Sequence, residues 1–99
     1  MIQRDEALRR LEDHAQDLAM YSVRRLAIFG SVARDEAHEN SDVDILVEFE
    51  PDARVGLFEF VRLQRFLSHI LGCSVDLVTP DALRAEMREQ ILREAVYAT

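Results

Sequence analysis

The sequence predicts an α/β fold of two layers, in which a small mixed β-sheet is packed by helices. Two observations predict it. Short apolar runs of strand length alternate with longer segments whose apolar residues recur every three or four positions. The chain has 99 residues, with 48 % apolar and 31 % charged residues, which is typical of one globular domain. We therefore expect a single domain over residues 1–99.

The first two elements are a helix and a strand. Leucines and alanines recur at helical spacing over residues 5–20, which predicts one helix with Asp5 as its N-cap. The apolar run at 26–29 predicts a buried strand, and Gly30 ends it.

The second strand is predicted over residues 43–49, where apolar residues alternate along the chain until Pro51. The link between Gly30 and this strand holds only a turn or two of helix. We therefore expect the first two strands to be antiparallel neighbours.

A longer helix is predicted over residues 57–71, between Gly56 and a C-cap at Gly72. Its length suits a crossover between parallel strands. We expect its leucines and its three phenylalanines to lie in the core; these are Phe58, Phe60 and Phe66.

The last predicted elements are a strand and a helix. The strand covers residues 74–78, and Thr79 and Pro80 then provide an N-cap and a first helical residue. An apolar stripe from Leu83 to Ala95 marks the final helix, with a break expected near its start.

Charge and cysteine content exclude some function classes. Nineteen acidic residues face twelve arginines, giving a net charge of −7, so phosphate-gripping nucleic-acid binding is not expected. A basic partner, or metal ions that hold an anion, suits this charge better. Cys73 is the only cysteine and no apolar run could span a membrane, so we expect a cytoplasmic protein with no membrane contact.

Three aspartates suggest a metal site. Asp42 and Asp44 are two residues apart on a predicted strand, which places their carboxylates on one face, and Asp76 lies in the next strand. Clustered carboxylates are costly unless a cation compensates, and Mg²⁺ binds to carboxylates together with phosphates. The alternative is that Asp42 caps a strand, Asp44 meets solvent or an arginine, and Asp76 is an ordinary solvent-facing residue.

A second group of residues suggests phosphate binding. Gly30 allows a sharp turn and a close approach of a ligand, and Ser31 offers a hydroxyl beside backbone N–H groups. Arg34 and Ser41 could also reach a phosphate. The alternatives are an ordinary turn with an N-cap, an arginine paired with a neighbouring glutamate, and a plain turn serine.

These motifs resemble a known family. The matching stretches are residues 29–34, 41–47, 56–78 and 94–97. They resemble the DNA polymerase beta-like nucleotidyltransferase superfamily and, more closely, the minimal nucleotidyltransferases that act as MNT antitoxins in MNT–HEPN toxin–antitoxin pairs.

The resemblance implies a two-layer nucleotidyltransferase fold and a specific reaction. The family transfers AMP from ATP, with two Mg²⁺ ions, to a tyrosine of a HEPN RNase toxin. By position, Asp42, Asp44 and Asp76 would be the catalytic and metal-binding residues, and Asp76 would also help to activate the attacking hydroxyl. The nucleotide-binding residues would be Gly30, Ser31, Arg34 and Ser41.

Two other functions stay open on the sequence alone. A non-catalytic antitoxin could neutralise its toxin by binding and masking it, which suits the acidic charge and the largely apolar 57–71 helix. A nucleotidyltransferase could instead modify a small molecule, although we expect no second domain that could hold one.

Overall fold

The fold is described from a computed structural model that covers residues 2–38 and 42–98. One open sheet contains four strands in the order β3-β2-β1-β4. The strands are β1 (Val23–Phe29), β2 (Val43–Phe49), β3 (Val75–Val78) and β4 (Val96–Tyr97). Within the described ranges, no helix is long and apolar enough to cross a membrane.

The sheet is mixed, as predicted. β1 pairs antiparallel with both β2 and β4, whereas β2 and β3 are parallel. The crossover between the parallel strands is helix α4 (Leu57–Leu71), whose bounds match the prediction. Gly72 ends this helix in the left-handed region, with φ +71°. β2 also has its predicted bounds, and β1 begins three residues before the predicted 26–29 strand.

The N-terminal helix differs from the prediction. Two helices, α1 (Arg4–Asp13) and α2 (Ala15–Met20), replace a single one. His14 separates them, because its φ of −109° and ψ of 22° are not helical. The assignment of Asp5 as N-cap is wrong. Gln3 occupies that position, and Asp5 lies in the first turn, where a negative charge still favours the helix dipole.

The core lies on both faces of the sheet. On one face, buried residues of β1 and β2 pack with Leu11, Leu18, Leu63 and Leu67 from the helices. The smaller cluster on the other face contains Ala27, Phe29, Leu46 and Ile91.

The expectation of core positions is wrong for Leu57 and Phe58. The Phe58 side chain is 81 % exposed and the Leu57 side chain is 75 % exposed, whereas Phe60 and Phe66 pack against the core. Phe58 and Leu57 belong to the first turn of α4, which begins before the helix reaches the core.

The C-terminal region contains one element that was not predicted. The expected break near the start of the last helix is present, since a 3-10 turn (Pro80–Ala82) precedes α5 (Ala85–Glu94). Thr79 occupies the N-cap of that turn without a side-chain hydrogen bond. The two-residue strand β4 then pairs with β1. A strand this short has no periodic pattern of its own, so only its pairing identifies it.

Candidate functional site

Two of the three predicted aspartates lie side by side in two parallel strands, and the third lies just before one of these strands. Asp44 and Asp76 are direct register partners in β2 and β3, which places their side chains on one face of the sheet. This is the face that α5 covers in part, opposite the buried Val43 and Ile45. Asp42 lies one residue before β2, and its side chain is exposed.

The electrostatics of Asp44 reflect this crowding. Partial burial of its carboxyl, together with the negative charges of Asp76 and Asp42, raises the pKa of Asp44 to about 6. The positive charge of Arg34 opposes this rise, and the negative charge of Glu94 adds to it. Because the charged form of Asp44 is unfavourable, a cation bound beside it would stabilise that charge.

Gly30 brings the end of β1 against this carboxylate. Its φ of +74° is in the left-handed region, and a Cβ atom on it would collide with the side chain of Asp44. Phe29, the preceding residue, is the register partner of Asp44. Both the backbone conformation and the space therefore require glycine here.

The other predicted phosphate-binding residues lie on or beside the short helix α3 (Gly30–Ala33). Ser31 is half-buried and is the second residue of this helix. Arg34 is the C-cap residue, and its guanidinium pairs with Glu36 at 3.0 Å and with Glu94 at 3.2 Å. These carboxylates raise the pKa of Arg34, Glu36 more than Glu94. Ser41 lies outside the described residues.

Glu94 is a site residue to which sequence reasoning gave no role. Its Oε1 atom accepts hydrogen bonds from the Gly30 backbone N–H at 3.2 Å and from Arg34 Nη1 at 3.3 Å. One signal was present in the sequence. Glu94 is the last residue of α5, where the helix dipole disfavours a negative charge, so its presence there calls for a compensating partner.

The site's donor set fits a hard divalent cation. Among the described side chains, no three of the metal-ligating types already stand close enough to hold a metal ion. The pair of register-matched carboxylates, Asp44 and Asp76, nevertheless offers the one or two oxygen ligands that Mg²⁺ takes from protein when phosphates and waters complete its coordination. The raised pKa of Asp44 is consistent with that use.

Comparison with protein families and with known proteins shows what the chain is similar to. The model of the nucleotidyltransferase domain family matches residues 7–98. The protein adenylyltransferase MntA of Thermococcus cleftensis is 42 % identical over 88 residues, which are 88 % of this chain and 87 % of that protein.

Two solved structures extend the comparison. A structure assigned as a minimal nucleotidyltransferase has a TM-score of 0.78 and 40 % identity, and the match covers 96 % of this chain and 95 % of that one. A chain from the complex of the tri-AMPylated Shewanella oneidensis HEPN toxin with its MNT antitoxin has a TM-score of 0.64. At 18 % identity, over 93 % of this chain and 71 % of that one, this likeness concerns the fold alone.

Proposed function

The chain belongs to the nucleotidyltransferase domain family, and on that premise we propose that it is an antitoxin that transfers AMP from ATP to a tyrosine hydroxyl of a HEPN RNase toxin. The similarity to the adenylyltransferase MntA supports a protein as the acceptor. The complex of a tri-AMPylated HEPN toxin with its antitoxin supports the class of partner.

One observation carries the proposal. The register pair Asp44–Asp76 stands beside the Gly30 turn, so paired carboxylates and a glycine turn that a phosphate could approach lie at the same end of the strands. Transfer of a nucleotidyl group needs these two features together, because the phosphates must be held while their charge is neutralised.

Each residue then has a role in the reaction. Gly30 and Ser31 would bind the triphosphate, with Arg34 adding positive charge. The tyrosine oxygen attacks the α-phosphorus, the bond to pyrophosphate breaks, and Asp76 would orient the hydroxyl and take up its proton. Asp76 suits this role because its side chain is exposed and β3 is an edge strand, open to a partner protein.

Asp42, Asp44 and Asp76 would hold Mg²⁺, and their carboxylate oxygens suit that ion. When bound, Mg²⁺ supplies positive charge that offsets the charge of the phosphates. The net charge of −7 therefore does not prevent the binding of an anionic nucleotide.

Intact-mass spectrometry of the coexpressed toxin tests the proposal. With the wild-type chain, the toxin should gain mass in steps of one AMP, and fragmentation should locate the addition on a tyrosine. The Asp42→Ala/Asp44→Ala variant should add none. The Asp13→Ala/Asp17→Ala variant removes the same charge from exposed helical positions and should behave as wild type.

Several outcomes would contradict this proposal. Undiminished transfer by the Asp42→Ala/Asp44→Ala variant would reject the assignment of those residues. AMP on serine or threonine would reject the tyrosine. No mass gain with the wild-type chain would reject the enzyme.

A second candidate function is neutralisation by binding alone. The exposure of Leu57, Phe58 and Met20 favours it, because large exposed apolar side chains are typical of protein-binding surfaces. Met20 also lines a groove with Val55 near the start of α4. This function predicts that the Asp42→Ala/Asp44→Ala variant still protects cells from the toxin and still copurifies with it.

A further inference from the structure

The contacts of Glu94 point to a further role within the proposed reaction. We propose that Glu94 is a positioning residue that holds both the Gly30 turn and the Arg34 side chain in the arrangement that binds the phosphates of the nucleotide. This inference rests on the proposed function, because it concerns the same site.

A single carboxylate connects the two ends of α3. At the first residue, the Gly30 N–H donates to Glu94 Oε1 at 3.2 Å. At the C-cap, Arg34 Nη1 donates to Oε1 at 3.3 Å and to Oε2 at 3.2 Å. The Glu94 side chain is only 20 % exposed, and its hydrogen bond with Gly30 is partly shielded from water, whereas its bonds with Arg34 are exposed.

The α3 helix needs this external support. It has four residues, too few for a helix to be stable by its own hydrogen bonds. Phe29 occupies its N-cap and has no side-chain acceptor for the first N–H groups. Glu94 supplies an acceptor from another helix, and it thereby fixes Gly30 in its left-handed conformation beside Asp44.

Apart from its contacts with Gly30 and Arg34, Glu94 is in an electrostatically unfavourable position. It ends α5, where the helix dipole disfavours an acid, and its charge contributes to the raised pKa of Asp44. By charge alone, removing it would strengthen the binding of an anionic nucleotide. If Glu94 positions the phosphate-binding groups, removing its charge must weaken binding instead. The sign of the effect therefore separates the two roles.

The test is Glu94→Gln, which keeps an oxygen acceptor for Gly30 but removes the charge that holds Arg34. We expect the KM for ATP, and the Kd of a non-hydrolysable ATP analogue measured by calorimetry, to rise about tenfold, because a charged hydrogen bond is lost. The value of kcat should change less than about threefold. Glu89→Gln removes the same charge from an exposed position of α5 and should leave both constants unchanged.

Two further variants separate the two contacts. Glu94→Ala removes both and should raise the KM more than Glu94→Gln does. In an Arg34→Ala background, Glu94→Gln should raise the KM much less than it does in the wild-type chain. The contact with Arg34 is already absent there, and the glutamine retains the contact with the Gly30 N–H.

Tighter or unchanged nucleotide binding by Glu94→Gln would overturn the inference. So would a lower melting temperature with unchanged KM and kcat in the folded protein, since Glu94 would then be purely structural. A wild-type chain that binds no ATP analogue would instead reject the proposed function, so the two failures are distinguishable.

Discussion

Asp44 is the residue in which the demands of folding and of the proposed reaction conflict most clearly. Burial and the charges of Asp76 and Asp42 raise the pKa of its carboxyl to about 6. The folded state therefore binds this proton more tightly than the unfolded chain does. Its charged form makes the metal-free protein less stable as the pH rises from about 4 to about 6.

We expect Asp44→Asn to stabilise the metal-free protein at pH 8 while it abolishes AMP transfer. The gain should be about 1 kcal/mol, because solvent screening reduces the effect at a half-exposed group. It should vanish below about pH 4, where Asp44 is protonated in both states. Urea unfolding in the presence of a chelator across this pH range measures it.

The exposed Asp52→Asn is the control for this experiment and should show no gain that grows with pH. A less stable Asp44→Asn protein at pH 8 would contradict the assignment of Asp44 as a strained, partly buried acid.

At the scale of elements, the two parts of α4 differ in how much they contribute to packing. Its buried residues Leu63, Leu67 and Leu71 recur every four positions and attach the crossover to the sheet. The crossover makes β2 and β3 parallel and so brings Asp76 beside Asp44. The first turn of α4 contributes little to this packing, because its Leu57 and Phe58 side chains are exposed.

Two substitutions in α4 should therefore differ strongly. Leu63→Ala should lower the free energy of unfolding by about 2 to 5 kcal/mol, because the side chain is fully buried. Phe58→Ala should change it by less than about 0.5 kcal/mol. Denaturant unfolding of both variants checks this, and a large loss for Phe58→Ala would show that its ring packs within the folded chain.

At the scale of the whole molecule, the acidic charge and the open sheet edge are both consistent with the binding of a cation at the proposed site. The chain carries a net charge of −7, and its acidic site is formed by β2 and by its neighbour β3, which is an edge strand of the sheet. A cation that binds here would reduce the repulsion between the carboxylates that folding brings together. A ligand that binds the folded state and not the unfolded chain raises the stability of the protein.

We expect Mg²⁺ with a non-hydrolysable ATP analogue to raise the melting temperature of the wild-type protein. At a ligand concentration of about 100 times Kd, the stabilisation is about 2.7 kcal/mol. The Asp42→Ala/Asp44→Ala variant should show little of this shift when ionic strength is matched. Scanning fluorimetry measures the difference, and an equal shift in both proteins would place the ligand elsewhere.

The sequence by itself determined the features that depend on local order. Alternation predicted β2, a stripe of polar residues in an otherwise apolar segment predicted α4, and Gly72 predicted its end, because each is set by nearby residues. The antiparallel and parallel pairings also followed from the lengths of the links between strands. The aspartates and Gly30 were identified by their type and spacing, and their roles stay predictions.

Only the tertiary structure decided the features that depend on distant residues. β4 exists through its pairing with β1, and no pattern within two residues could indicate it. The exposure of Phe58 depends on where α4 meets the core. Glu94 is 64 residues from Gly30 in the chain, and only the path of α5 brings its carboxylate to the Gly30 N–H. Local patterns specify elements, whereas contacts between remote elements exist only once the chain has packed.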